Sequence, residues 1–443
     1  MLKVCKFGGS SLADAGQFIK VKQIVSADPA RKVVVVSAPG KRFPEDHKLT
    51  DLLYLCQAHL QYGVPCDSVW EMITERFLSI RDELKLQLDL ESEFALLKQR
   101  FSKKTSVEEL VSRGEYFGAR IMAAFLGFRF VDSAEWLLFN GDGSVNTAES
   151  YARLQELVND DPIVTPGFYG AMPDGALRLF DRGGSDITGA LAAAALSADV
   201  YENWTDVSGI LMADPRIVEG ARSIPKITYS ELRELSYIGA QVLHEDSVFP
   251  VRIAGIPLNI RNTNVPEDEG TLISETFSAD NEDSENIITG IAGRKGFSIV
   301  TVTRNGLSSV PGEFRKILGI FEHFQVSIHY MSCGIDCLSL IVEESALSAC
   351  KYALEDELKK EIRTDNIKFS DNFAVLAVVG RRMVHRTGSA GRILKVLGDN
   401  GINIRFISQG PEELNIIIGV QETHYNAAIK ALYAHFVENE NRQ

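Results

Sequence analysis

The stretch KFGGSS, Lys6 to Ser11, puts a lysine at the end of a short apolar run, directly before two glycines and two serines. The preceding residues, Leu2-Lys3-Val4-Cys5-Lys6-Phe7, alternate as a strand does, and the pattern FIKVKQIV beyond Asp14 predicts an amphipathic helix. A strand, a Gly-Ser loop and a helix in this order suit an anion. Glycines let backbone N–H groups come close, and the helix N-terminus adds partial positive charge. The same residues also describe a tight strand-to-helix turn beside a solvated lysine, and the hexapeptide alone leaves both readings open. It is not a Walker A loop, where the lysine follows the glycines, nor a GxGxxG fingerprint.

Outward from this stretch, strand-like runs keep alternating with helical ones. KVVVVSAPG (Lys32–Gly40) is an unbroken β-branched run closed by a Pro-Gly turn, as a buried parallel strand would be. DPIVTPGFYG and GALRLFDRGGSD predict two more strands. GALAAAALSA predicts an Ala-rich helix, and ADVYENWTDVSGI a further strand. The expected class is α/β, a mostly parallel sheet with helices on both faces. Residues from about 65 to 125 break the alternation with long charged helical pattern and read as an all-helical insertion.

The chain's 443 residues suggest about three domains. Its formal charge is −14 and its basic residues are spread out, which argues against nucleic acid or an anionic membrane as a main partner. The six cysteines show no paired CxxC spacing, so reduced thiols are expected and a zinc site is not. No apolar stretch reaches the ~18 residues of a membrane span, and the N-terminus reads as a strand rather than a signal peptide. A soluble cytoplasmic protein is the expectation.

Residues 1–262 read as one α/β domain. The segment Thr263–Glu285 (TNVPEDEGTLISETFSADNEDSE) is acidic and poor in periodic structure, and is expected to be a linker. An internal repeat follows. The offset between Phe297 (FSIVTVT) and Phe373 (FAVLAVV) also pairs Gly312 with Gly388, Leu318 with Leu394, Ile328 with Ile404, Ser332 with Ser408 and Ile341 with Ile417. Each copy, 286–365 and 366–443, reads as a ferredoxin-like βαββαβ unit.

Three further stretches of the first domain carry chemistry. In TSVEELVSRGEYFGARIMAAFLG, Ser106 and Glu109 form a capping box. Helical spacing then puts Glu115 in line with Val111, Gly118, Met122 and Phe125. A carboxylate in an apolar stripe needs a cationic partner. Either Arg113 or Arg120 supplies it, or a substrate ammonium does. In Arg182-Gly183-Gly184-Ser185-Asp186, Ser185 or Asp186 would cap the Ala-rich helix. Capping leaves Arg182 unaccounted for and suggests a carboxylate or phosphate clamp. Trp204-Thr205-Asp206-Val207-Ser208-Gly209 and Ala213-Asp214-Pro215-Arg216 leave a strand end, where open α/β sheets bind ligands.

Taken together, KFGGSS, SAPG (Ser37–Gly40), KLTDLL (Lys48–Leu53), SRGE (Ser112–Glu115), RGGSD and WTD-SGI resemble the successive signatures of the amino-acid kinase family, and its aspartate kinases in particular. The tandem repeat resembles paired ACT domains. In that family a strand preceding the first ACT unit completes the second, and ENIITGI (Glu285–Ile291) stands in that place.

The resemblance implies ATP as co-substrate with Mg²⁺, and L-aspartate as phosphoryl acceptor. Lys6 would reach the transferring group, with Phe7, Gly8 and Gly9 along the phosphates. Asp186 would orient Lys6 or the reacting groups. Glu115 would hold the substrate ammonium and Arg182 a carboxylate, with Ser37, Thr50 and Ser185 as hydroxyl contacts. Thr205, Asp206, Leu211, Asp214 and Arg216 would border the nucleotide. Two departures stand out: Gln241 where the family has a lysine, and Leu211 where an aromatic is common.

The ACT pair implies a feedback effector, lysine first and threonine second. It would be bound by Ser309, Gly312, Ser327, Ile328, His329, Ser332 and Cys333, in a homo-oligomer, dimer or tetramer, joined through these units. Lysine-sensitive relatives often carry an aspartate where His329 stands, so Asp336 or a second chain would have to receive the ammonium. The rival readings are a glutamate 5-kinase or acetylglutamate kinase type of enzyme, against which SRGE and the two ACT units count, and a non-catalytic ACT-based sensor.

Overall fold

The computed structural model describes residues 1–159, 161–181, 183–239, 245–277 and 287–439. They form two compact units: 1–210, 223–229 and 245–277 in the first, and 211–222, 230–239 and 287–439 in the second.

The first unit carries strands β1 (Lys3–Phe7), β2 (Arg31–Val36), β3 (Arg129–Phe130), β4 (Ile163–Pro166), β5 (Tyr169–Ala171), β6 (Leu177–Leu179), β7 (Val200–Thr205), β8 (Lys226–Thr228), β9 (Leu258–Asn262) and β10 (Thr271–Ser274). Eight of them make one sheet in the order β3-β4-β2-β1-β7-β9-β10-β8, parallel except for the β9–β10 pair. Val33 to Val36 are all fully buried, which is why β2 reads as a continuous β-branched run. The strand expected from GALRLFDRGGSD is not part of this sheet. It is β6, paired only with β5 in a two-stranded ribbon. The chain turns out of the main sheet after β4 at Phe168, whose φ of 79° no strand residue adopts.

The region after β2 is helical, with helices Leu49–Tyr62, Asp67–Glu83, Leu90–Gln99, Val107–Val111 and Arg113–Leu126. Trp70, Phe77, Phe94 and Phe117 interlock there, with ring centroids 4.7–6.1 Å apart. The helix expected to run on from Ser106 is two helices with Ser112 between them, and its capping box is formed. The expected linker is strand in part: β10 hydrogen-bonds β9 and β8, and the first unit runs on to Phe277. The remainder of that linker, with Gln241, His244 and Arg182, lies outside the described residues.

The second unit carries β11 (Gly290–Thr303), β12 (Ile328–Cys333), β13 (Cys337–Glu343), β14 (Asn366–Val379), β15 (Ile404–Ser408) and β16 (Asn415–Gln421), in one antiparallel sheet ordered β12-β13-β11-β14-β16-β15. Among the described residues of the expected leading strand only Gly290 and Ile291 are strand, and they run on into the first strand of the first copy as one element, β11. Its start, Gly290–Arg294, pairs with Val375–Val379; its end, Ile299–Thr303, pairs with Asn366–Ser370 and with β13. The register slips between those halves, at Phe297. Each copy therefore has the ferredoxin-like strand order, with its last strand drawn from the other copy's long strand. The repeat extends to backbone angles. Gly312 and Gly388 cap equivalent helices, Glu313–His323 and Ser389–Asp399, at φ of 89° and 87°.

Segments 211–222 and 230–239 precede this sheet in sequence but are hydrogen-bonded into its unit. Ile291 N–H donates to Met212 O, and Arg222 N–H to the Tyr433 hydroxyl. The fully buried Glu231 receives Arg381 and the Thr289 hydroxyl. Among the described residues no helix is long and apolar enough to cross a membrane.

Candidate active site

Phe7 pairs with Val36 on one side and Trp204 on the other, so the loops leaving β1, β2 and β7 start side by side at the carboxyl edge of the first sheet. The first two loops cross closely. Gly40 N–H donates to Gly9 O at 2.8 Å, and a Cβ at Gly40 would stand 2.7 Å from Gly9 backbone atoms. One at Gly9 would stand 2.9 Å from Ala38 O. These glycines are therefore required by the crossing itself. Beneath them the buried Arg76 donates to Gly40 O and pairs with Asp46 at 2.8 Å. Arg42, with Arg76 beside it, holds the Asp46 carboxyl well below its usual range.

Lys6 is buried, and its Nζ lies 2.6 Å from Asp186 Oδ1. Asp186 stands in the first turn of the helix Gly184–Ala195. Gly183, at φ 59°, caps this helix with no side-chain hydrogen bond. Ser185 and Asp186 are thus not its caps, contrary to the sequence reading. Ser185 is buried against Gly167, while the Asp186 carboxylate turns to Lys6 and to Asn203, whose Nδ2 donates to the same Oδ1 at 2.9 Å. Asn203 was not singled out from sequence. The signal was available only as register, because parallel pairing sets Lys6 opposite Asn203.

Glu115 is 5% exposed, and Arg113 and Arg120 do not reach it. Arg113 bonds the Ser112 hydroxyl and lies over Tyr116, and Arg120 pairs with Glu93 at 2.9 Å. One carboxylate oxygen, Oε2, is buried with no hydrogen bond. Burial raises the carboxyl to about 8, against the opposing effect of a hydrogen bond from Ala38 N–H. Gly114 lets this turn close on the Ser37–Gly40 loop, since a Cβ there would stand 2.9 Å from the Ala38 Cβ. Glu115, Ala38, Gly40, Gly9 and Lys6 thus form a contiguous edge.

Other expected contacts differ in placement. Phe7 is fully buried and stacks on Trp204 at 5.9 Å, so its side chain belongs to the core. Gly8 N–H donates to Trp204 O at 2.9 Å. Ser37 and Thr50 are half-buried, at the end of β2 and in the first turn of Leu49–Tyr62. Thr205 ends β7 and donates to Asp206, which is exposed. Leu211, Asp214 and Arg216 fall in the second unit, where Arg216 pairs with Asp214 at 2.7 Å.

In the second unit the turn Leu307–Ser309 meets the turn between β12 and β13. Ser308 N–H donates to Ile335 O, and Gly306 N–H to Asp336 Oδ1. Ser309, Gly312, Ser332 and Cys333 gather at this end, exposed. Ser327, Ile328 and His329 stand at the start of β12, about 10 Å or more from Ser332 and Cys333 at ~3.3 Å per residue. His329 is enclosed by Phe297, Tyr237 and Glu343, and burial lowers its pKa below the usual histidine range. Its Nε2 is 3.3 Å from Glu343 Oε1 without hydrogen-bond alignment.

A sequence model of the amino acid kinase family matches residues 1–262, and an ACT domain model matches residues 376–436. The chain belongs to the amino acid kinase family. It is 34% identical to aspartokinase 3 of Bacillus subtilis over 98% of each chain. It is 28% identical to the chloroplastic aspartokinase 1 of Arabidopsis thaliana, over 98% of this chain and 80% of that one. The crystal structure of Clostridium acetobutylicum aspartate kinase matches with a TM-score of 0.90 and 44% identity, covering 98% and 99% of the two chains. That of E. coli aspartokinase III with lysine and aspartate matches at 0.73 and 23% over 98% and 99%, a likeness of fold. Within its family the chain is an aspartate kinase.

Proposed function

We propose that this enzyme transfers the γ-phosphoryl group of ATP to the side-chain carboxylate of L-aspartate, giving 4-phospho-L-aspartate and ADP. The observation that carries the aspartate side is Glu115, a buried carboxylate with an oxygen left unbonded and no arginine at hand. An α-ammonium group completes it. In the reaction an aspartate carboxylate oxygen forms a bond to the γ-phosphorus, and the bond from that phosphorus to the bridging oxygen breaks toward ADP. The attacking group is already an anion, so no general base is needed, and positioning with charge neutralisation does the work.

Lys6 supplies that charge at the transferring group, and Asp186 positions Lys6. Ser37, Thr50 and Ser185 add hydroxyls, and Arg182 would hold the α-carboxylate. Thr205 and Asp206 border the nucleotide. Mg²⁺, when bound with the nucleotide, neutralises phosphate charge. The ion would be held mainly by the phosphates it arrives with.

The ACT units make the enzyme responsive to an end-product amino acid, lysine before threonine. In support, the Clostridium relative is described as allosteric and the E. coli one was crystallised with lysine. The two clusters of candidate effector residues lie at opposite ends of β12, an edge strand, where antiparallel pairing with a second copy of the chain would bring one cluster beside the other. That supports a homo-oligomer joined through this edge. The test is ATP turnover trapped with hydroxylamine, run with aspartate, glutamate and acetylglutamate. Turnover with aspartate alone is expected; preference for either of the others would overturn the assignment.

A further inference from the structure

We infer that Asn203 is a positioning residue for phosphoryl transfer, holding the Asp186 carboxylate in place when the Lys6 ammonium is drawn off toward phosphate; this rests on the assignment of Lys6 and Asp186 made above. In the ligand-free arrangement Lys6 and Asn203 share a single acceptor, Asp186 Oδ1, at 2.6 and 2.9 Å. Once phosphate oxygens compete for the ammonium, the amide is the hydrogen bond that stays. β7 is built to do this. Asn203 and Tyr201 are two residues apart and so face the same helix turn. The Tyr201 hydroxyl donates to the Asp186 main-chain oxygen at 3.0 Å. Gly189 is where that ring passes, since a Cβ there would stand 2.5 Å from the Tyr201 oxygen. Residue 186 is therefore gripped by backbone and by side chain from one strand.

Asn203 itself is 4% exposed, and its Oδ1 is buried without a hydrogen bond. A buried amide used for packing alone would be a poor choice there, because leaving a carbonyl oxygen unbonded carries its full desolvation penalty. Its register partner across the strand pair is Lys6, the other group bonded to Asp186 Oδ1. The titratable groups around it are Lys6 from β1, Asp186 from the helix and Tyr201 from β7, while β9 places Ile260 alongside.

The experiment is a double-mutant cycle on the full chain. Asn203→Leu is expected to lower kcat about tenfold, the scale of one charge-assisted hydrogen bond, with aspartate KM within about twofold. In an Asp186→Ala background the same change should move kcat by less than about twofold. An equal loss in both backgrounds, or no loss in the first, overturns the inference. If Asp186→Ala and Lys6→Ala both keep full activity, the site assignment fails and takes this inference with it.

Should Asn203→Leu not fold, Asn203→Asp is near-isosteric and reads the same role through pH. A carboxyl there can donate to Asp186 only while protonated. The variant's kcat should therefore fall as pH rises, where wild type holds steady, and an unchanged profile overturns the inference.

Discussion

Glu115 holds a proton in the folded chain that an unfolded one releases. Its carboxyl is raised by burial from the ordinary 4.5 to about 8. Between those values the native state binds the extra proton, so stability contributed by the neutral form is lost as pH rises, by up to about 1.4 kcal/mol per unit. Glu115→Gln should therefore be close to wild type in urea at pH 5 and clearly more stable at pH 8.5; parallel pH dependences would count against the buried-acid account. In the role proposed for Glu115, the same proton would obstruct the substrate ammonium. Aspartate KM should fall as pH is raised from 6 to 8, and Glu115→Ala should raise it by about one to two decades with ATP affinity kept. Lys6→Ala should instead lower kcat by at least ~10²-fold, since its interaction is strongest in the transition state. Initial-rate kinetics on both variants separate the two roles.

At the scale of elements, the helix Asp67–Glu83 reaches the site through Arg76, which fastens the loop that crosses Gly9. Arg76→Ala leaves Asp46 as a buried charge with only the part-exposed Arg42 beside it. We expect a loss of about 3–5 kcal/mol in chemical denaturation, with kcat reduced in the fraction that folds. A normal midpoint would mean that the loop is held by its glycine crossing alone. Features of this size explain what could be read in the chain. The β2 run, the Ser106 capping box and the lysine before the glycines are local patterns, decided within a few residues. The β5–β6 ribbon, Arg76 under Gly40 and Asn203 opposite Lys6 depend on chain segments far apart in sequence, where periodicity carries no information. The burial of the Phe7 side chain was illegible for a related reason: a motif names neighbours along the chain but not which of them face inward.

At the scale of the molecule, the exposed cluster at Ser309 and Ser332 is the part of the proposed effector site that can be altered without touching the first unit. Substituting either should relieve inhibition with kcat retained. A ligand preference of ~1–3 kcal/mol for the inactive state corresponds to about a 5–150-fold effect. The measurement is aspartate kinase activity against lysine, threonine and both together; a variant inhibited like wild type would move the effector elsewhere. The long strands β11 and β14 add a constraint of a different kind. Because each serves both repeats, the C-terminal region is interlaced rather than strung like beads. A gene truncated between the copies would not yield one intact sensor and lose the other. It would leave the first lacking its closing strand and the second represented by a lone overhang, so the duplicated halves must be inherited, folded and lost together.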